Sequence, residues 1–490
     1  RCCLGFDKEH MPEGADPGDC VLSYLTGKQD GIPKTPEWAE PITGIPAETI
    51  RSLARRLVEA KPAAILPGYG PQRHSYGEQG VRGGILLACM TGNVGVRGGS
   101  AAGVGYCRRH MEPVLNQADN PVKASIPLYR WTDALDHGHE MTAIDGVKGL
   151  PEGAELGTDI KMLFSLAGNA LVNQHGDINR TTELLRDESK CEFIVVSDLF
   201  MTSSAMYADI VLPGVSFFET ENIVAPWLYG DFLGYCNKAV DPVGESRFEY
   251  EWLTEIAERL GLRKKFTKGR SHEDWLRYIY KDLRKKEPEL PSFEEFREAG
   301  IYRYQNNPEI IAFEDNYRDP KAHPFPTESG KIELYSPEVA RTQYAEYFPV
   351  IPRYVPAIEG YDDPLAERYP LQLISWHTKR RCHSIHDNNL ELHRVDPQRL
   401  WMNAKDAEAR GLEDGDTVIV YNDRGRTQVP LYITDRICPG VTALSQGAWY
   451  QPDADGTDLA GSINVLTSLH PTPYARGNAQ HTNLVEVRKA

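Results

Sequence analysis

Three stretches of this chain place glycine or polar residues where a short apolar run ends. That is where an open α/β sheet holds its ligands, in the crevice off the carboxyl ends of the strands. The runs are residues 63–66, 160–166 and 193–196, and they lead into Gly68-Tyr69-Gly70-Pro71-Gln72-Arg73, Gly168-Asn169 and Ser197-Asp198. A carboxylate in the position of Asp198 can accept from both hydroxyls of a ribose, or from the N1 and N2 donors of guanine. Asn169 can both donate and accept toward a phosphate or a base. Taken singly, each stretch is equally a loop cap with no ligand. Three aligned on one sheet edge favour a ligand.

The nine cysteines carry less. Cys2, Cys3, Cys20, Cys89, Cys107, Cys191, Cys236, Cys382 and Cys438 contain no CxxC pair and no set with zinc or iron–sulfur spacing. Single scattered cysteines are expected as small buried hydrophobes, and an odd number argues against a disulfide scaffold. No iron–sulfur cluster is expected within this chain.

The elements that position the strand ends follow from hydrophobic periodicity. Residues 35–60 have a helix–turn–helix rhythm, with Thr43-Gly44-Ile45-Pro46 ending one segment and opening the next. A buried strand is expected at 63–66 and a helix at 77–90, closed by the glycine-rich turn 91–99. Strand, turn and helix recur at 160–166 with 177–186, and at 193–196 with 202–208, before a third strand at 210–212. Such alternation predicts a mostly parallel sheet. Residues 243–298 read as charged and helical, and 306–326 as irregular. From about residue 369, runs at 371–374, 417–421, 427–433, 440–444 and 483–487 are separated by turn signals, a barrel-like pattern.

The expected fold class is therefore α/β, with parallel-sheet Rossmann-like domains followed by a C-terminal β-barrel. The expected division is 1–100, 101–265, a helical and irregular connection over 266–348, and a barrel over 349–490. With 490 residues, several packed units are the prior. The 41% hydrophobic and 25% charged content is that of a globular protein. A net charge of −16 argues against nucleic acid as a partner. No window approaches the roughly 18 apolar residues of a membrane-spanning helix. The start at Arg1 reads as the interior of a longer protein.

The residues themselves resemble a known family. Gly68-Tyr69-Gly70-Pro71-Gln72-Arg73-His74 is similar to the pterin-contacting loop of the dimethyl sulfoxide reductase family, and Thr91-Gly92-Asn93-Val94-Gly95 to the turn that follows it. Ala167-Gly168-Asn169-Ala170-Leu171-Val172-Asn173-Gln174 resembles the family's nucleotide-contacting loop. Its central signature is matched by Val196-Ser197-Asp198-Leu199-Phe200-Met201-Thr202 with Ala208-Asp209-Ile210-Val211-Leu212-Pro213. Later matches are Trp376-His377-Thr378-Lys379-Arg380-Arg381-Cys382-His383-Ser384, Asn422-Asp423-Arg424-Gly425, Gly447-Ala448-Trp449-Tyr450, Ile463-Asn464-Val465 and Gly477-Asn478. The resemblance runs through nearly the whole chain in order. It is nearest to the membrane-anchored, iron–sulfur-dependent catalytic subunits.

The resemblance implies molybdenum held by two pyranopterin guanine dinucleotides, reducing an S-oxide or N-oxide by oxygen-atom transfer. It implies cofactor contacts from Gly68, Gly70, Gln72, Arg73, Asn169, Asn173, Trp376, Thr378, Asn464 and Asn478. Asp198 would take a ribose, Asp209 the N1 and N2 of guanine, and Ser197 and Thr202 the pyrophosphate. His377, Arg380, His383 and Ser384 would line the pterins, and Arg73 would reach the substrate funnel as the catalytic group. Blander readings stand beside these. Arg380-Arg381 is also readable as a solvated charge pair, Asn422 to Gly425 is first a hairpin turn, and Arg424 suits a neighbouring carboxylate as well as a cofactor.

By the same resemblance, a [4Fe–4S] cluster and a serine ligand to molybdenum lie in preceding residues, so no metal ligand is assigned here. These 490 residues are expected to be inactive alone. The implied partners are an iron–sulfur electron-transfer subunit and a membrane anchor, on the extracytoplasmic, periplasmic side. Reduction of another substrate such as polysulfide or selenate, or a non-catalytic cofactor-binding module, are the alternatives. A nicotinamide dehydrogenase is disfavoured by the lack of a GxGxxG after a strand, and a serine hydrolase by the lack of GxSxG.

Overall fold

The computed structural model describes residues 3–100, 103, 109–115, 119–151, 153–227 and 230–490. Cys2 and Cys107 lie outside the described residues, as does the expected boundary at 101. The chain divides into two compact units. The first gathers Arg1–Gly105, Ile310–Ala366 and His470–Asn483; the second gathers Tyr106–Glu309, Glu367–Leu469 and Leu484–Ala490. Residues 349–366 and 470–483, grouped above with the barrel, thus belong to the first unit.

In the first unit, Thr35 opens the helix Pro36–Thr43 by accepting from the Trp38 amide, with Pro36 in the first turn where no amide partner is needed. Gly44 ends it at φ 68°, a left-handed conformation suited to glycine. The next helix, Ala47–Glu59, completes the expected pair. Residues 63–66 are not a buried strand: none of them pairs in a sheet, and Leu66 is 60% exposed. The strand pairing in this unit is a two-residue parallel ladder, Cys3–Leu4 with Ile332–Glu333. The core is Val21, Tyr24, Leu86, Leu334, Tyr335 and Ile351, joined by one face of the helix Gly77–Met90.

The second unit holds the expected parallel sheet. Met162–Leu166, Phe193–Asp198 and Ile210–Pro213 lie side by side in that order, all parallel. Phe193–Asp198 is central, which explains its unbroken apolar run. The helix Ile178–Arg186 sends Ile178 and Leu185 into the core shared with Val172, Ile194 and Val196. A separate antiparallel sheet of Asn222–Val224, Phe232–Cys236 and Ile301–Arg303 packs with the helices His272–Lys286 and Phe293–Ala299 around Leu233, Tyr280, Leu283 and Phe296.

The C-terminal barrel closes through six strands in the order Leu400–Met402, Arg426–Ile433, Thr417–Tyr421, Asn483–Lys489, Leu371–Ile374 and Val441–Leu444. Leu373, Leu400, Met402, Val418, Val420, Leu444 and Val485 are fully buried inside it. Each stabilises the barrel by about 1.5–3 kcal/mol relative to exposure. Closure also removes the open strand edges that would otherwise pair with another chain. Among the described residues no helix is long and apolar enough to cross a membrane. The cysteine expectation holds only in part: Cys20 and Cys191 are buried, whereas Cys382 and Cys438 are exposed.

Candidate functional site

At the carboxyl end of the parallel sheet, the backbone turns sharply after Met162–Leu166, with Ala167 at φ 51° and its amide donating to the Ser197 carbonyl at 2.8 Å. This fixes Asn169 beside the next loop. Asn169 Oδ1 accepts from the Ser204 amide at 2.9 Å and from Ser204 Oγ at 2.7 Å. Ser204 Oγ in turn accepts from the Val172 amide at 3.0 Å. Both acceptor positions of Asn169 Oδ1 are therefore used, while Nδ2 is buried with no protein partner. A buried amide donor left open costs about 1–3 kcal/mol, which a ligand acceptor at this point would recover.

Asp198 ends the central strand and accepts from the Leu199 amide at 2.7 Å, with Thr202 Oγ1 at 3.5 Å from its other oxygen. Burial raises its carboxyl above the usual range. Ser197 is fully buried and its hydroxyl lies 3.5 Å from Glu249 Oε1. Asp209 lies at the other end of the same strand, where Oδ2 accepts from the Ile194 amide at 2.7 Å. Four residues of strand, about 13 Å, separate the ends that Asp198 and Asp209 occupy. Asp209 instead lines a cavity of about 670 Å³ with Ser203, Tyr207, Trp449, Tyr450 and Gln451.

A second group surrounds Asn173. Its Nδ2 donates to the Ala448 carbonyl at 2.5 Å, its Oδ1 accepts from the Tyr450 amide at 3.4 Å, and its own carbonyl accepts from Asn464 Nδ2 at 2.7 Å. Asn464 Oδ1 accepts from Thr467 Oγ1 at 3.0 Å. Asn173 and Asn464 thus hold two loops of the unit together.

The third group is the loop after Leu371–Ile374. Gln446 Nε2 lies 3.1 Å from His377 Nδ1 and 2.9 Å from His383 Nδ1, and the two imidazoles meet edge to face at 5.0 Å. Both histidines are exposed. Trp376 packs its ring against Trp401, and Thr378 Oγ1 accepts from the Arg381 amide at 3.3 Å. Trp449 Nε1 donates to the Ser384 carbonyl at 2.7 Å.

Arg380 and Arg381 are not a solvated pair. Their side chains are 2% and 1% exposed and both reach Asp387 Oδ1. Arg381 also donates to the Gln446 carbonyl and to Gln398 Oε1, and burial pulls its guanidinium down to about 10. Arg380 Nε is buried without a partner. Asp387 and Gln398 escaped the sequence reading because nothing in their local pattern marks them. Only tertiary pairing with two buried arginines does.

Asn422 to Gly425 is a hairpin turn, the Asn422 amide donating to the Gly425 carbonyl at 3.0 Å. Arg424 Nε donates to the Leu466 carbonyl.

The first unit holds the remaining candidates. Gly68, at φ 66°, and Gly70 have open space where a side chain would lie. Gly77 packs so closely on Gln72 that an added Cβ would sit 2.6 Å from the Gln72 carbonyl carbon. The Arg73 carbonyl accepts from the His481 amide at 3.0 Å, and the Ser75 amide donates to Thr482 Oγ1 at 2.8 Å. Asn478, buried, pairs with Pro471 within the segment His470–Asn483 of this unit.

Two family profiles match the chain: "Molybdopterin oxidoreductase" over residues 43–259 and "Molydopterin dinucleotide binding domain" over residues 371–484. The chain is 44% identical to dimethyl sulfoxide reductase DmsA of Haemophilus influenzae, aligned over 100% of this chain and 62% of that protein. With dimethyl sulfoxide/trimethylamine N-oxide reductase of Rhodobacter capsulatus it shares 32% identity over 99% of this chain and 61% of that protein. It therefore spans about three fifths of the length of these relatives. Among solved structures, acetylene hydratase from Pelobacter acetylenicus has a similar fold, with a TM-score of 0.54 at 22% identity, covering 74% of this chain and 50% of that one.

Proposed function

Because the chain belongs to the dimethyl sulfoxide reductase family of molybdopterin oxidoreductases, we propose that its protein reduces an S-oxide or N-oxide at a molybdenum centre held by two pyranopterin guanine dinucleotides. The reduction consumes two electrons and two protons and releases the reduced sulfide or amine with water. The bound cofactor supplies the two-electron oxygen-atom transfer. What this chain contributes is binding, orientation and the electrostatics around it.

The observation that carries this reading is the buried Asn169 Nδ2, a donor without a protein acceptor at the carboxyl end of the sheet. Asp198, protected from solvent by the same loop, suits a ribose. The Asp209 cavity offers a carboxylate beside the Trp449 and Tyr450 segment, a setting for guanine N1 and N2. Arg380 Nε and the exposed His377 and His383 supply donors for a pterin edge, where such groups tune the metal. In the first unit, the side-chain-free surface of Gly68 and Gly70 allows close backbone approach to a ring, and Arg73 is the candidate for polarising the oxygen being transferred.

The test is cofactor content. The chain, expressed in cells that make the cofactor, should release guanine nucleotide on acid hydrolysis and carry molybdenum. Asn169→Ala should lower both. A wild-type chain with neither would overturn the reading. Turnover is assayed as oxidation of reduced benzyl viologen by dimethyl sulfoxide or trimethylamine N-oxide, and is expected only with the rest of the catalytic subunit present. We extend the proposal to an iron–sulfur partner subunit and a membrane anchor on the periplasmic side, read from the same family, with co-purification as the check.

A further inference from the structure

Far along the chain from the cofactor candidates, His110, Glu287 and Glu289 bring one imidazole and two carboxylates together, their ligand atoms all within 4.8 Å of one another. Glu287 and Glu289 stand in the turn that ends the helix His272–Lys286, where Leu290 enters the core. Residue 110 is held over this turn by its ring, stacked on Tyr304 at 3.6 Å and 7°. The adjoining Met111 amide donates to Glu287 Oε1 at 2.8 Å.

The imidazole is placed to offer Nδ1 as a ligand while Nε2 faces an acceptor. Asn307 Nδ2 donates to the Tyr304 carbonyl at 3.1 Å, which fixes its amide and leaves Oδ1 to face His110 Nε2 at 3.0 Å. An oxygen acceptor there requires the proton on Nε2. The lone pair of the neutral ring is then on Nδ1, pointing toward Glu287 Oε2. Metal-binding histidines characteristically donate their other ring N–H to such an oxygen.

Spacing argues the same way. His110 Nδ1 and Glu287 Oε2 stop at 3.7 Å although their side chains are only 11% and 15% exposed. Two ligands each about 2.0–2.2 Å from a tetrahedral ion lie roughly 3.3–3.6 Å apart. Beside them is the Tyr304 hydroxyl, on a residue 5% exposed and without a partner.

We propose that His110, Glu287 and Glu289 bind a divalent transition-metal ion, with Zn²⁺ as the type case, and that the Tyr304 hydroxyl lies at the inner wall of the site. One nitrogen and two oxygens suit zinc better than magnesium or calcium. The ion would clamp residues 109–115 to the end of the helix.

The experiment is equilibrium dialysis of the chelator-stripped chain against Zn²⁺, with Co²⁺ as an optical probe. Wild type should take up one equivalent more than Glu287→Gln or Glu289→Gln, and only wild type should show the N/O-ligated Co²⁺ visible bands that Zn²⁺ displaces. Either variant should bind that equivalent at least about tenfold more weakly. Glu289 is exposed, so Glu289→Gln leaves the packing intact should the Glu287 variant fail to fold. Equal uptake by wild type and Glu289→Gln, or Co²⁺ bands unchanged in it, overturns the proposal.

Discussion

Asp387 and Arg381 form an ion pair whose side chains are 4% and 1% exposed, beneath the loop that carries His377 and His383. The same carboxylate takes Arg380 through Oδ1 and the Trp449 amide through Oδ2 at 2.7 Å. A single acid thus joins the arginine pair to the loop that also carries Gln446, which touches both histidines.

Removing that charge is costly. Asp387→Asn leaves two buried guanidiniums against one neutral amide and turns a donor toward the Trp449 amide. Urea denaturation followed by tryptophan fluorescence should show a loss of about 3–5 kcal/mol. A loss under about 1 kcal/mol would mean that solvent reaches this pocket.

Gly447 sits at φ 94°, and a Cβ there would lie 1.8 Å from the His383 carbonyl oxygen. Gly447→Ala must therefore displace the His383 backbone as well as strain its own, the strain alone costing about 1–3 kcal/mol. The expected result is a lower melting temperature together with reduced bound guanine nucleotide. An unchanged melting temperature would contradict this packing.

His175 is held neutral. Its ring is buried against Trp131, Nε2 lies 3.0 Å from Thr132 Oγ1, and burial lowers its pKa to about 3. The unfolded chain protonates this residue near pH 6.5 and the folded chain does not. Above that pH the residue makes no difference. As pH falls from 6.5 toward 3 it should subtract about 1.4 kcal/mol per pH unit. His175→Gln keeps a hydrogen-bonding group and should flatten the acid limb of stability against pH by that amount. Parallel limbs in the two proteins would exclude the effect.

Asn169→Asp preserves the acceptor that Ser204 uses and replaces the open Nδ2 donor with a negatively charged acceptor. Cofactor retention after gel filtration should fall at least about tenfold, as loss of one hydrogen bond to a charged acceptor predicts. Unchanged retention would remove Asn169 from the binding surface.

Much of the scaffold was legible because its signals are local. The apolar run 193–196 was legible as a strand, and Thr417–Tyr421 with Arg426–Ile433 announced a hairpin through the turn between them. The strand Leu400–Met402 was not legible, being three residues long with no alternation to mark it. The run 63–66 misled because apolar character alone does not supply a pairing partner. The place of the candidate Asn169 just after a strand was legible. The burial of Ser197, the commitment of Asp209 to the Ile194 amide and the Asp387 network depend on contacts between residues far apart in sequence, which no local pattern encodes.

The first unit is assembled from three separate pieces of chain, and the last of them, His470–Asn483, supplies the amide that the Arg73 carbonyl accepts. During synthesis, residues 68–73 therefore wait for His481, made roughly 400 residues later, roughly 20–80 s at ordinary ribosomal rates. Until then the loop relies on local contacts, such as Gly77 packed on Gln72. A chain interrupted in that interval would never gain this hydrogen bond.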